Sequence, residues 1–349
     1  MLEVTDSRVA CLAGEIVRDA VAPAAAAGFV RMAAEWEVSV GGETNTIFDL
    51  ASLTKPMTAL AVARSGLDRG APIAAILAEA DGCEATVEML LAHRGGLEAH
   101  VPLYAPLATG GSVDRAAALR AAALARRADV ASLPAAPLYS DLGYALVGEA
   151  LARHVGARDA GEAIEELVVA PLGLADDLGT ARALEARNVG FAERVAPTED
   201  VAWRGGVVRG RVHDENAWAL TGDGGSGHAG MFGTIRGVLV FAAAAHDAIM
   251  LAHGPLAGSD LAWLVAPRPG GDLRAGFDGK SDRGSSAGER AGPRTFGHLG
   301  FTGTSVWIDP DARAAVALLT NRVHPTRENT AIRVARPRVH DALWSLATR

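Results

Sequence analysis

The chain has 349 residues, 49% of them hydrophobic and 21% charged, with a formal net charge of -8. That composition excludes wholesale disorder, and it offers no basic stripe with which to displace counterions from a nucleic acid. The two cysteines, Cys11 and Cys83, lie far apart with no histidine at metal-ligand spacing, so neither a disulfide framework nor a metal site is expected, and no cofactor is implied.

In chain order, residues 1–10 carry Glu3, Asp6 and Arg8 before any apolar run. This is unlike a secretory signal, and no later apolar run is long enough to cross a bilayer, so a cytoplasmic protein with no membrane association is expected. Val9, Leu12, Ile16 and Ala20 share one helical face, which predicts an amphipathic helix over 6–20 with Thr5 or Asp6 as its N-cap. Residues 28–33 and 35–40 read as two short strands leading to Gly41 and Gly42. A helix over 52–64 follows; it tolerates Pro56 in its first turn and places Ser52 at its N-terminus.

From about 86 to 245 the chain reads as alanine-rich helices and loops. Pro102, Pro106, Pro134 and Pro137 punctuate a long connection before a helix that starts near Asp141. Residues 270–292 lack periodicity and predict a surface loop. Strands are expected over 295–302, 305–309 and 314–320, the last two joined by a turn at Asp309-Pro310-Asp311, and a final helix over 338–347. Strands at both ends around a helical middle predict an α/β (α+β) fold. An antiparallel sheet formed by the two chain ends (1–60 and 260–349) is flanked by helices, with an all-helical domain (61–259) inserted between them.

Of the 33 basic residues only Lys55 and Lys280 are lysines. Arginine does not release its proton in a protein, whereas a desolvated lysine does, so a lysine kept against this bias suits a reversible base. Ser52 and Lys55 stand at i and i+3, on one helix face and within reach of each other. A serine hydroxyl becomes a competent nucleophile when a neighbouring base takes its proton, and the helix N-terminus favours the negative charge that develops beside it. Alone, such a pair is far more often an N-cap serine followed by a solvated lysine. Tyr139, just before the helix at Asp141, has a phenol that an adjacent ammonium would push towards the phenolate; its plain alternative is a packed residue at a helix cap. His298 sits on a predicted strand two residues before Gly300, where a missing side chain would let a substrate approach the backbone.

Taken together, four segments resemble the successive motifs of the class C β-lactamase-like, penicillin-recognising serine hydrolases, a family that includes esterases and D-amino-acid peptidases. They are Phe48-Asp49-Leu50-Ala51-Ser52-Leu53-Thr54-Lys55, Leu90-Leu91-Ala92-His93-Arg94-Gly95-Gly96-Leu97, Tyr139-Ser140-Asp141-Leu142-Gly143-Tyr144 and Gly297-His298-Leu299-Gly300-Phe301-Thr302-Gly303-Thr304. The resemblance runs from about residue 24 to the C-terminus. It implies a sheet domain and a helical domain with the active site in the cleft between them. Ser52 would be the acylated nucleophile, Lys55 its base, Tyr139 the proton shuttle, and the backbone N–H groups of Ser52 and Phe301 the oxyanion hole. Asp141, His298, Gly300 and Tyr104 would contact substrate.

Two positions depart from the lactamase pattern. Asp141 stands where an asparagine amide is usual, and His298 where a lysine is usual. A carboxylate and a mostly neutral imidazole are poor partners for a β-lactam's carboxylate, which favours an esterase acting on a small ester or amide. A β-lactamase or D-Ala peptidase is the alternative within the class, and a non-catalytic binding protein on the same fold is the alternative outside it. Gly276 to Ser281 ends like a phosphate loop but lacks the required spacing. Lys280 is then a loop residue near the cleft. His213-Asp214-Glu215-Asn216 reads as a structural loop, because adjacent side chains cannot all face one ion, and Gly227-His228-Ala229-Gly230 reads as a tight turn leading to a helix near Thr234.

Overall fold

A computed structural model describes residues 2–348. Its main sheet has seven strands, in the spatial order Leu2–Thr5, Trp36–Gly42, Ala25–Met32, Ala314–Thr320, Ser305–Asp309, Phe296–Leu299 and Asp278–Gly279. All neighbours are antiparallel except the first pair, Leu2–Thr5 with Trp36–Gly42, which is parallel. The two chain ends therefore meet in the middle of one sheet, at the pairing of Ala25–Met32 with Ala314–Thr320.

Alternation of side chains along each strand separates two cores. Phe29, Val316, Leu318 and Trp307 face the first helix, Ser7–Arg18, and the last, Ile332–Ala347, meeting Val9, Ile16, Val339, Leu343 and Trp344. Val30, Ala315, Ala317 and Leu319 face the opposite way, onto the core that includes Val238, Leu239 and Ala242 of helix Ile235–Leu251. Gly28 is needed there: a Cβ would lie 2.6 Å from a Leu239 methyl and 2.7 Å from the Ser39 carbonyl oxygen. Trp344 is 1% exposed and donates its indole N–H to Ala287 O at 2.9 Å. Truncating a side chain so enclosed typically costs about 3–5 kcal/mol.

Helices Thr54–Ser65 and Asp141–Val155 form the centre of the helical part, and most residues of both are buried. Gly143 and Gly148 allow close approach within it; a Cβ on Gly148 would meet the backbone of Gly227 at 2.5 Å. A small sheet of Phe48–Asp49, Met231–Gly233 and Leu178–Thr180 fixes the segment that leads into Ser52.

Several boundaries differ from the sequence reading. The first helix spans Ser7–Arg18, and Asp6 is the cap, accepting from the Arg8 N–H at 2.8 Å. The predicted strands 28–33 and 35–40 are Ala25–Met32 and Trp36–Gly42, because cross-strand pairing extends each beyond its hydrophobic run. Leu2–Thr5 and Asp278–Gly279 are edge strands too short to leave a periodic signal, and the second lies within the predicted loop. The strand expected over 295–302 stops at Leu299, where the chain turns. The last helix starts at Ile332, ahead of Pro337, because Ile332, Ala335 and Arg336 continue the buried face across the proline.

Candidate active site

The chain enters the site through a sharp backbone turn. Ala51 has φ +48°, a left-handed conformation that costs a residue with a Cβ about 1–2 kcal/mol. Buried Asp49 supports it: one carboxylate oxygen accepts the Ala51 N–H at 2.8 Å and the other the His213 N–H at 2.8 Å. Burial pushes the Asp49 carboxyl up, and these contacts oppose that rise. A single 3-10 turn over Ala51–Leu53 then carries Ser52, and the α-helix proper begins at Thr54 rather than at Ser52.

Ser52 Oγ lies 2.9 Å from Lys55 Nζ. The Lys55 side chain is completely buried, and its Nζ also donates to Asp141 Oδ1 at 2.7 Å and His228 O at 3.3 Å. Burial pushes this ammonium down, but the charge and hydrogen bond of the Asp141 carboxylate lead the contacts that outweigh it and hold Lys55 above the ordinary lysine range. That balance favours the ammonium over the free amine that desolvation alone would produce. Tyr139 also departs from expectation. Burial pushes its phenol up to about 12, and Lys55 and the hydrogen bonds with Lys55 and Ser52 offset only part of the rise. The phenol is protonated at neutral pH.

Tyr139 is held by its neighbours. Its ring stacks on His93 with centroids 4.6 Å apart, and Lys55 Nζ sits 4.8 Å from its centroid. His93 Nδ1 accepts the Ser140 N–H at 3.0 Å, which fixes the backbone one residue after the phenol. His298 faces Tyr139 from the sheet, with ring centroids 6.0 Å apart. Its Nδ1 contacts Leu299 O at 2.7 Å, so Nδ1 carries the proton and Nε2 is the free acceptor. Burial lowers the His298 pKa against the pull of Asp278, keeping the ring neutral at pH 7.

Residues 300–304 form a turn closed by Gly300 N–H to Thr304 O at 2.8 Å and Gly303 N–H to Gly300 O at 3.0 Å. Two buried hydroxyls fasten it to the nucleophile segment: Thr302 Oγ1 donates to Asp49 O at 2.7 Å, and Thr304 Oγ1 to Leu50 O at 2.9 Å. Phe301 and Ser52, the two expected oxyanion donors, thus sit on segments stitched together, and both line the same cleft. Gly300 is required by packing: a Cβ there would lie 1.9 Å from Thr304 Oγ1 and 2.6 Å from Leu50 O.

The cleft has a volume of about 510 Å³. Ser52, Tyr139, Asp141, Tyr104, Gly300 and Phe301 all line it. Tyr104 stacks on Trp203 with centroids 5.6 Å apart, giving the cleft an aromatic wall, and half-exposed Phe301, stacked on His213, also lines it. Lys280 does not line it; its Nζ is tied to the carbonyls of Glu289 and Ala291. His213 pairs with Glu199 at 3.1 Å, and Asp214 caps helix Glu215–Thr221 and pairs with His228 at 2.9 Å. The turn 227–230 leads into strand Met231–Gly233 before the helix capped by Thr234, and its His228 carbonyl reaches Lys55.

Sequence reasoning gave no role to His93, Asp49, Thr302, Thr304 or the arginines of the cleft. The arginines Arg322, Arg327, Arg333 and Arg336 were concealed by a composition in which arginine is ubiquitous. His93 and the two threonines lay inside quoted motifs, but only the fold shows what they touch.

Residues 13–339 match the Beta-lactamase family, and the chain belongs to it. Among curated proteins, it is 28% identical over 252 residues to a putative D-alanyl-D-alanine carboxypeptidase of Escherichia coli O157:H7, an alignment covering 67% of this chain and 56% of that protein. The chain thus spans little more than half of that relative's length. Among solved structures, EstCE1, described as a hydrolase with promiscuous acyltransferase activity, superposes with a TM-score of 0.69 at 20% identity, covering 97% of this chain and 98% of that one. A class C beta lactamase from Rhodobacter sphaeroides gives 0.67 at 17% identity, covering 98% of each. At such identities the structural likeness establishes the fold, a mixed sheet of mostly antiparallel strands flanked by helices. The described residues include no helix long and apolar enough to cross a membrane.

Proposed function

We propose that this Beta-lactamase-family chain is a serine acyl hydrolase of the esterase type, working through a covalent acyl-enzyme on Ser52. The observation that carries this reading is the 2.9 Å contact between Ser52 Oγ and fully buried Lys55 Nζ at the head of the cleft. Ser52 Oγ attacks the substrate carbonyl, Lys55 and Tyr139 carry its proton to the leaving group, and the Ser52 and Phe301 N–H groups hold the oxyanion. Water then releases the acyl group by the same proton path in reverse. The esterase assignment is supported by the two departures from the lactamase pattern: Asp141 is engaged with Lys55 and offers no amide N–H, and His298 is neutral. Ser52→Ala should remove turnover of a short-chain aryl ester and leave the thermal midpoint within a few degrees of the parent. Turnover at the parental rate would refute the assignment.

A second reading is favoured by one feature. Arg333 and buried Arg336 line the cleft, and neither has a carboxylate partner among the described residues; Arg336 donates to Thr304 O at 3.2 Å instead. They suit a substrate with an anionic group, such as a peptide with a terminal carboxylate, which is the kind of molecule the curated relative's name indicates. A panel of aryl esters, D-alanyl peptides and a chromogenic cephalosporin separates the two readings by kcat/KM.

A further inference from the structure

The contacts of Lys55 set the direction of its hydrogen bonds. Nζ meets three oxygens: Ser52 Oγ at 2.9 Å, Asp141 Oδ1 at 2.7 Å and His228 O at 3.3 Å. An ammonium has three N–H groups and no lone pair, whereas a free amine has two N–H groups and one lone pair. Ser52 Oγ can accept from an ammonium or donate to an amine lone pair, so the selecting contact is the Asp141 carboxylate at 2.7 Å, which favours the ammonium; an ammonium donates to Ser52 in the resting site. Attack by Ser52 needs the opposite, with the lysine lone pair accepting the serine proton.

Asp141 is the acceptor that sustains this state. His228 O is a neutral carbonyl and Ser52 Oγ a neutral hydroxyl; Asp141 alone among the three carries a full charge. It occupies the first position of helix Asp141–Val155, and its side chain is 23% exposed and lines the cleft. The other groups facing Lys55 cannot replace it. Tyr139 hydrogen-bonds Lys55 through a phenol that burial keeps protonated, and Tyr144 presents its ring with the centroid 5.4 Å from Nζ, so neither brings a charge. His93 and His298 lie nearby, and both are pushed towards the neutral form by burial. Asp278, on the edge strand, is raised by burial, and Asp214 is already paired with His228.

We propose that Asp141 is a positioning residue that locks Lys55 as the ammonium in the empty site, so that loss of one Lys55 proton to solvent precedes acylation and the Asp141 charge sets the pH at which the enzyme turns over. This rests on the acyl-enzyme reading above. In the step itself, Lys55–NH₃⁺ first gives a proton to water or buffer. The resulting amine takes the Ser52 hydroxyl proton as Oγ bonds to the carbonyl carbon, and it returns that proton to the leaving group as the carbonyl–leaving-group bond breaks. The asparagine usual at this position would hold Lys55 by a hydrogen bond without the charge.

The test compares parent with Asp141→Asn and Asp141→Ala. The rate of Ser52 labelling by a fluorophosphonate and the kcat/KM for an aryl ester are followed from pH 6 to 10.5. Both rates should rise with pH in the parent, and the rising limb should move down by about one pH unit or more in the variants, so that labelling at pH 7 becomes about ten-fold faster. A limb that stays in place or moves up overturns the proposal. A parent never labelled on Ser52 at any pH would instead sink the acyl-enzyme reading. With only two lysines in the chain, ¹³Cε-lysine NMR of the parent gives an answer that needs no variant. The Lys55 signal should keep its ammonium shift beyond pH 10; a free-amine shift at pH 7 overturns the lock.

Discussion

Thr304→Val tests whether the turn 300–304 serves catalysis or only folding. The substitution keeps the shape of a fully buried side chain and removes one hydrogen bond, from Oγ1 to Leu50 O at 2.9 Å. Leu50 O keeps the Leu53 N–H at 3.1 Å, so it is not orphaned, and the loss of stability should stay near about 1 kcal/mol. The catalytic effect should be larger in proportion. That bond is one of two fastening the Phe301 N–H to the nucleophile segment, and an oxyanion donor is worth about 3 kcal/mol. Misaiming it by half that worth lowers kcat about ten-fold. Urea unfolding gives the first quantity and steady-state hydrolysis of an aryl ester the second. If kcat stays within two-fold of the parent while stability falls, the threonine holds the fold and contributes nothing to the oxyanion hole.

Two further predictions rest on buried contacts, one in the same turn and one beneath the last helix. Gly300→Ala forces a Cβ against Leu50 O and Thr304 Oγ1, so it should lower kcat by about 100-fold, comparable with losing an oxyanion donor; parental kcat would show that the turn absorbs the methyl. Burial holds the His340 imidazole down at about 3, between Ser286 O and Ser305 Oγ. The native state keeps it neutral while the unfolded chain takes up a proton below about 6.5, so its contribution is intact above that pH and is lost as pH falls towards 3. The thermal midpoint should drop across this window, and His340→Gln should flatten the drop; an unchanged acid slope refutes the assignment.

The sequence disclosed what depends on local pattern. The helix face of Val9 and Ile16, the serine and lysine three residues apart, and the three C-terminal strands are each written in neighbouring residues. The meeting of both chain ends in one sheet followed from where the strands lay. Contacts between distant segments were not legible. Nothing in Thr302 or Thr304 announces the carbonyls of Asp49 and Leu50, and nothing in His93 announces the ring of Tyr139. The partner of Lys55 was hidden for the same reason: desolvation can be anticipated for a buried lysine, but the Asp141 carboxylate that meets it at 2.7 Å comes from 86 residues away.

The most direct test of the central claim is to trap the covalent intermediate. Incubating the protein with a slowly hydrolysed aryl ester, quenching in acid and mapping the adduct by peptide mass spectrometry should give a burst of leaving group and one acyl mass on the peptide containing Ser52. Turnover with no adduct, or an adduct confined to another residue, would contradict the account.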